Sequence, residues 1–405
     1  MFSAVRSGSS RFPHSRISSP ALVTSRLQDM SGTYPRPEVA LSRVPSAVLR
    51  VWYQATGTVL FPTAPAGIWR GQLGAALRRS AQARSGTGKT AYEQLFRTPR
   101  AAVQIPDRPP RILGPVGLAG KHVPHPFVLR MVQESHRTAP LRLEPGDEAA
   151  LELGLVASAI GHLPALTAAL DGLGEGGIGR PVSQESAQAR NQKRRGTLRI
   201  RQASLRLSSV SLRLYDGGQW RLPRACSPTL YEQVGDLMEP PPPADGETLG
   251  DGSLDGEALG GEAPENLEVT FETPARIGHQ GTLLTTPAAL TSEALAQACY
   301  RRWAALSLCY GPDPPSTERL DAAFKQARSL GRDTQIRKRA LQPISRTRYS
   351  ARQDQRLTRT GLQGSVRIAG PAKRLAQWRW WLRRIAPIHV GKSTAMGFGI
   401  LSVDA

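Results

Sequence analysis

Close to the end of the chain runs HVGKSTAMGFG, His389–Gly399. Read one way, it completes a nucleotide-phosphate loop. Ala386-Pro-Ile-His-Val-Gly391-Lys392-Ser393 fits the loose Ala/Gly-x4-Gly-Lys-Ser/Thr pattern, and so does Ala83-Arg-Ser-Gly-Thr-Gly88-Lys89-Thr90. A working phosphate loop needs more than these letters. It follows a buried strand and opens a helix, whose first amides and dipole hold the phosphates. Before Ala83 the chain reads AALRRSAQ, a polar helix end, and after Lys392 the stretch TAMGFGILSV is broken by glycines. No apolar run ending in Asp offers a magnesium ligand. The pattern therefore argues against NTP hydrolysis. Read the other way, Gly391, Gly397 and Gly399 form a glycine-rich loop between a basic helix and a strand, MGFGILSV. Such glycines let a nucleic-acid backbone approach the main chain, with Lys392 facing phosphate.

Working outward, PAKRLAQWRWWLRRIA (371–386) predicts a helix with Leu375, Trp378, Leu382 and Ile385 on one face. The three tryptophans Trp378, Trp380 and Trp381 read as packing residues. RTRYSARQDQRLTRTGLQGSVRIAG (346–370) predicts two strands joined by a basic turn, NLEVTFETPARI (266–277) a strand, and SEALAQACYRRWAALSLCYG (292–311) a helix. Upstream, AVLRVWYQATGTVLF (47–61), HPFVLRMV (125–132), ALELGLVAS (150–158) and TLRIRQASLRL (197–207) read as strands, with helices at IWRGQLGAALRRSAQ (68–82) and HLPALTAALDGLG (162–174). Each half thus approximates β-α-β-β-α-β. The expected fold class is α+β, as tandem ferredoxin-like, RRM-like domains with helices on one face of an antiparallel sheet. RNA-recognition modules use the face left free. The expected bounds are 47–230 and 267–405, joined by an acidic Pro/Gly-rich linker at 231–266 and preceded by an extension, 1–46.

Composition narrows the partner. The 405 residues carry a net charge of +21, mostly from arginine, whose planar fork suits phosphate. A field of that sign points to a polyanion, RNA or DNA. Cys226, Cys299 and Cys309 form no CxxC pair, so neither a disulfide framework nor a structural zinc is expected, and a reducing cytoplasm fits. No metal or cofactor is called for, and no apolar run predicts a membrane span. Residues 1–28 lack Asp and Glu and are rich in Ser and Arg, a composition shared by transit peptides and by disordered extensions, with Met30 a possible alternative start.

Several separated segments resemble one family. HVGKSTAMGFG is similar to the C-terminal glycine-rich loop of the RAMP superfamily, and more narrowly of the CRISPR-associated endoribonuclease that cuts precursor CRISPR RNA within its repeats. Arg348-Tyr349-Ser350-Ala351-Arg352-Gln353 followed by Gly361-Leu-Gln-Gly364, Trp69-Arg70-Gly71-Gln72-Leu73-Gly74, Tyr92-x-x-Leu95-Phe96 and GEGGIGR (174–180) occur in the family's order. The resemblance implies metal-independent cleavage, in which the substrate's 2′-hydroxyl attacks the adjacent phosphate to leave a 2′,3′-cyclic phosphate and a 5′-hydroxyl. The partners it implies are CRISPR repeat RNA or crRNA and other CRISPR effector subunits. The alternative within the family is a non-catalytic RAMP subunit that binds guide RNA.

The chemistry asks for a base, an acid and cations around a phosphorane. His389, Lys392, Tyr92 and Lys89 are the candidate catalytic residues, because relatives' histidine after the first helix has no counterpart between Trp69 and Phe96. Arg70, Arg348, Arg352, Arg356, Gly391, Lys392, Gly397 and Gly399 are the candidate RNA-binding residues. Even spacing would put Arg348, Arg352 and Arg356 in one row along a strand. His122 and His125, in KHVPHPF, read as loop residues.

Overall fold

Alternating burial in SAVLRVWYQA makes the first strand: β1 (Ser46–Ala55) turns inward every second residue, Leu49, Val51 and Tyr53 among them. The computed structural model describes residues 46–61, 65–83, 91–97, 123–132, 141–175, 178, 198–207, 210–216, 219–220, 266–311, 314–350 and 355–403. The single strand expected over 47–61 is divided, with β2 (Val59–Phe61) following a bend at 56–57. Helix α1 (Pro65–Ala83) comes next, then β3 (Phe127–Met131), β4 (Leu141–Leu143), β5 (Glu148–Val156), α2 (Leu163–Glu175), β6 (Leu198–Leu207), β7 (Val210–Asp216) and β8 (Gln219–Trp220).

The main sheet of this half runs β3-β5-β1-β6-β7-β8, with every neighbouring pair antiparallel. Its first four strands have the ferredoxin-like order, and β7 and β8 extend the edge. Trp69, Leu73 and Leu77 of α1 and Leu166, Leu170 and Leu173 of α2 pack in the same core as Leu49, Val51 and Tyr53 of β1.

The second half repeats the plan. Strand β9 (Asn266–Ala275) leads to a small hairpin of β10 (Gly278–His279) and β11 (Thr282–Leu283). Helices α3 (Ser292–Tyr310) and α4 (Thr317–Arg332) follow, capped by Thr291 and Ser316 side chains that accept from Ala294 and Arg319 N–H. Then come β12 (Gln335–Ser350), β13 (Gln355–Ala369), α5 (Ala372–Ile385) and β14 (Leu401–Val403). The sheet order is β12-β13-β9-β14, again antiparallel and ferredoxin-like. The expected face of α5 is the buried one, joined by Trp381.

Three details depart from expectation, and a fourth agrees with it. Helix α4 has no sequence counterpart above. Strand β9 starts at Asn266, as expected, and its Glu268 faces Arg367 across the ladder; the linker at 231–265 lies outside the described residues. The final strand shrinks to β14, because Gly397 and Gly399 adopt φ of +78° and +71°, where a pleated strand cannot continue. Finally, β13 pairs with β9 only over 362–369, so residues 344–350 and 355–361 extend past the sheet as a two-stranded arm.

Candidate nucleic-acid interface

The glycine-rich loop is built against the end of β9. Lys392 N–H donates to the Arg276 carbonyl at 3.0 Å, Gly399 N–H to Pro274 at 3.1 Å, and Val390 N–H to Gly399 at 2.8 Å. These short approaches are what the glycines serve. A Cβ on Gly391 would lie 2.5 Å from the Arg276 oxygen, and one on Gly399 1.9 Å from that of Val390. Gly397 and Gly399 are buried, and at Gly399 the missing side chain makes room for the Val390 carbonyl rather than for an RNA strand. This corrects the expectation that all three glycines face a ligand. The phosphate-loop reading also fails here. The Lys392 amide is spent on Arg276, and Ser393 is followed by a three-residue 3-10 turn, Thr394–Met396, instead of a helix.

His389 lies inside. It is 4 % exposed, with an unusual φ of +58°, and its Nδ1 has no hydrogen-bond partner among the described residues. Burial, reinforced by Arg302 and Arg130, pushes its pKa down to about 3, so the ring is neutral near pH 7. It forms part of the wall of a cavity of about 260 Å³, with Arg130, Glu152, Gly154 and Arg383. Arg130 binds Glu152 at 2.8 Å and Glu272 at 3.3 Å, and Arg50 also pairs with Glu152. Across this seam, Pro387 fills the space a Cβ on Gly154 would need, its oxygen 2.3 Å away. Ala395 of the loop belongs to the N-terminal core, while Val156 and Ala157 belong to the C-terminal one. The loop therefore fastens the two halves together.

On the exposed side, Lys392 reaches solvent beside Gly278. Next to it, Ser393 Oγ accepts from two guanidiniums: Arg276 Nη1 at 2.8 Å, and Arg359 Nη1. Arg276 Nε also donates to the Thr360 carbonyl at 3.3 Å. Among the described residues no carboxylate pairs with either arginine. Arg346, buried and set over the Phe398 ring, stands directly across the ladder from Arg359.

The N-terminal candidates are differently employed. Arg70 Nη2 donates to His125 Nε2 at 3.0 Å, and His125 Nδ1 donates to the Leu95 carbonyl at 3.0 Å. Arg70 also covers the Phe96 ring. Tyr92 stacks on Phe96, with Arg78 and Arg97 over its own ring. Gly74 admits this pair, since a Cβ there would meet Phe96 at 3.1 Å.

Lys89 and Arg352 lie outside the described residues. Arg348 pairs with Leu357 and Arg356 with Tyr349. The chain reverses between them, so Arg348 and Arg356 occupy adjacent rungs of the ladder rather than the single row that even spacing suggested. Sequence reasoning did not single out Arg276, Arg359 or Ser393 as site residues. No group of three His, Cys, Asp or Glu that could hold a metal occurs among the described residues, and no described helix is long and apolar enough to cross a membrane.

Residues 269–401, which hold the loop, β9 and the arm, match the family model of the CRISPR-associated endoribonuclease Cas6. This C-terminal part of the chain is thus similar to Cas6 endoribonucleases. Residues 44–225 match a further model described as an N-terminal domain, and no curated protein matches the chain. Solved structures similar to this chain include a Cas6 product complex (14 % identity, TM-score 0.44, 89 % of this chain and 100 % of that one). Thermus thermophilus Cas6 (12 %, TM-score 0.42, 89 % and 99 %) and a RAMP protein binding different RNA substrates (9 %, TM-score 0.40, 89 % and 100 %) are also similar. The family match supports CRISPR RNA processing or RAMP RNA binding.

Proposed function

We propose that this protein is a Cas6-type endoribonuclease that cuts precursor CRISPR RNA within its repeats by attack of the 2′-hydroxyl on the adjacent phosphate, without a metal. The observation that carries this reading is the loop itself. The segment that resembles the family's motif is fixed to β9 and to both cores, yet leaves Lys392 in solvent. A cation held on so rigid a support stabilises a phosphorane without reorganising.

In this proposal Lys392 acts on the phosphate. Tyr92, which packs against the same core as Ala395, is the candidate for proton transfer. His389 supports the loop from behind rather than taking the proton. The partners in this proposal are repeat RNA and other CRISPR proteins.

End-labelled repeat RNA, incubated with the protein in EDTA beside a copy carrying one deoxyribose at the cut, tests the proposal. A single cut that the deoxyribose abolishes supports it. Binding without a cut moves the protein to the non-catalytic RAMP subunits.

A further inference from the structure

Resting on the RNA reading above, the geometry points to Arg276, Arg359 and Ser393 as a clamp for one phosphodiester of the bound strand. Three facts carry this. Two half-buried guanidiniums converge on one hydroxyl. Like charges this close repel, and no described carboxylate relieves them. A third arginine, Arg346, stands directly opposite Arg359, where like charges destabilise a ladder. Burial and, for Arg276, the nearby Arg359 make the charged form of each arginine harder to hold, lowering both pKa values. Folding alone gives no reason to keep such a pair; an anion does.

The hydroxyl explains how the pair survives without one. Ser393 Oγ can accept two hydrogen bonds and still donate its own proton. It takes one bond from each arginine, holding both forks at a common point. A phosphate arriving there meets two guanidiniums and, from Ser393, a hydroxyl donor. Arginine forks bind phosphate oxygens bidentately, which fixes orientation as well as strength. The clamp adjoins Lys392 in sequence, and Arg276 also holds the Lys392 amide through its carbonyl. A strand seated in it is therefore registered against the loop.

The test compares wild type with Arg276→Gln, Arg359→Gln and Ser393→Ala in two assays. In the first, thermal unfolding is followed at low ionic strength with added inorganic phosphate. Wild type should be stabilised by phosphate and Arg359→Gln should not be, while Arg359→Gln without phosphate should melt at the same temperature or higher. A merely structural arginine would instead lower the melting temperature and leave the phosphate response intact, which would overturn the clamp.

In the second assay, repeat-RNA affinity is measured against salt. Each arginine variant should bind roughly tenfold more weakly, with a log–log slope shallower by about 0.7 for each phosphate of a single strand that it no longer neutralises. Arg359→Lys should recover part of the slope. Unchanged slopes in both arginine variants, with wild type binding normally, reject the clamp. If wild type itself ignores repeat RNA, the RNA reading fails, and the phosphate assay alone decides whether the anion site exists.

Discussion

Two arginine clusters flank the same loop and balance their charge in opposite ways. Behind it, Arg50 and Arg130 share Glu152, and Arg130 reaches Glu272 in the other half. In front of it, Arg276 and Arg359 share only a serine hydroxyl. The first cluster is a joint, with every charge answered inside the protein. The second leaves its charge for something outside. Counting arginines does not distinguish them; asking which carboxylate faces each one does.

The largest expected effect breaks the joint. Glu152→Gln takes the shared carboxylate from Arg50 and leaves Arg130 only Glu272, and loss of one partner of a buried pair costs about 3 kcal/mol; Arg50 is the more exposed of the two and so contributes less. Urea unfolding measures it. If Glu152→Gln proves as harmless as Arg359→Gln is expected to be, the contrast between the clusters collapses.

Gly399→Ala comes next. It forces a side chain into a positive φ and against the Val390 carbonyl, with an expected loss of about 2 kcal/mol or more. RNA affinity should fall with stability, because the loop bearing Lys392 and Ser393 would shift. A normal Lys392 contribution to RNA binding in this variant would show that the loop's shape is dispensable.

His389 gives a pH-dependent effect. Its folded pKa lies below the usual value, so between about pH 6.5 and pH 3 the unfolded chain binds a proton that the folded chain does not. Its contribution is complete above about pH 6.5 and is lost as pH falls, at up to about 1.4 kcal/mol per pH unit. The stability curve of His389→Asn should be flatter than wild type across that window. Parallel curves would mean the ring is not held neutral.

The smallest effect is Arg70→Met, which removes the His125 bond and the cover over Phe96 for about 1 kcal/mol. The salt dependence of RNA binding should stay unchanged. A shallower slope would move Arg70 from the joint class to the clamp class.

How far the sequence could be read follows from the range of each signal. Strands β1 and β9 and helix α5 were legible because their burial repeats every second residue or follows one helical face. Helix α4 was not, since much of its surface is exposed and polar. The glycine-rich loop was legible as a motif, but the direction of its glycines was not, because their neighbours are the carbonyls of Arg276 and Val390. His389 invited a catalytic reading through its chemistry, and only three-dimensional packing reveals its burial. The Arg276–Ser393–Arg359 cluster joins residues 117 and 34 positions apart, a separation at which no local pattern survives.

The arm of β12 and β13 has one more consequence, for solubility. Strand β12 is the open edge of its sheet, and an unpaired edge of 16 residues invites another chain to add to it. Arg337, Lys338 and Arg339 near its start and Pro343 in its middle are the residues that discourage such pairing, by repulsion and by a missing N–H. A substitution that neutralised those cations would be felt first as aggregation on storage, before any change in the folded protein.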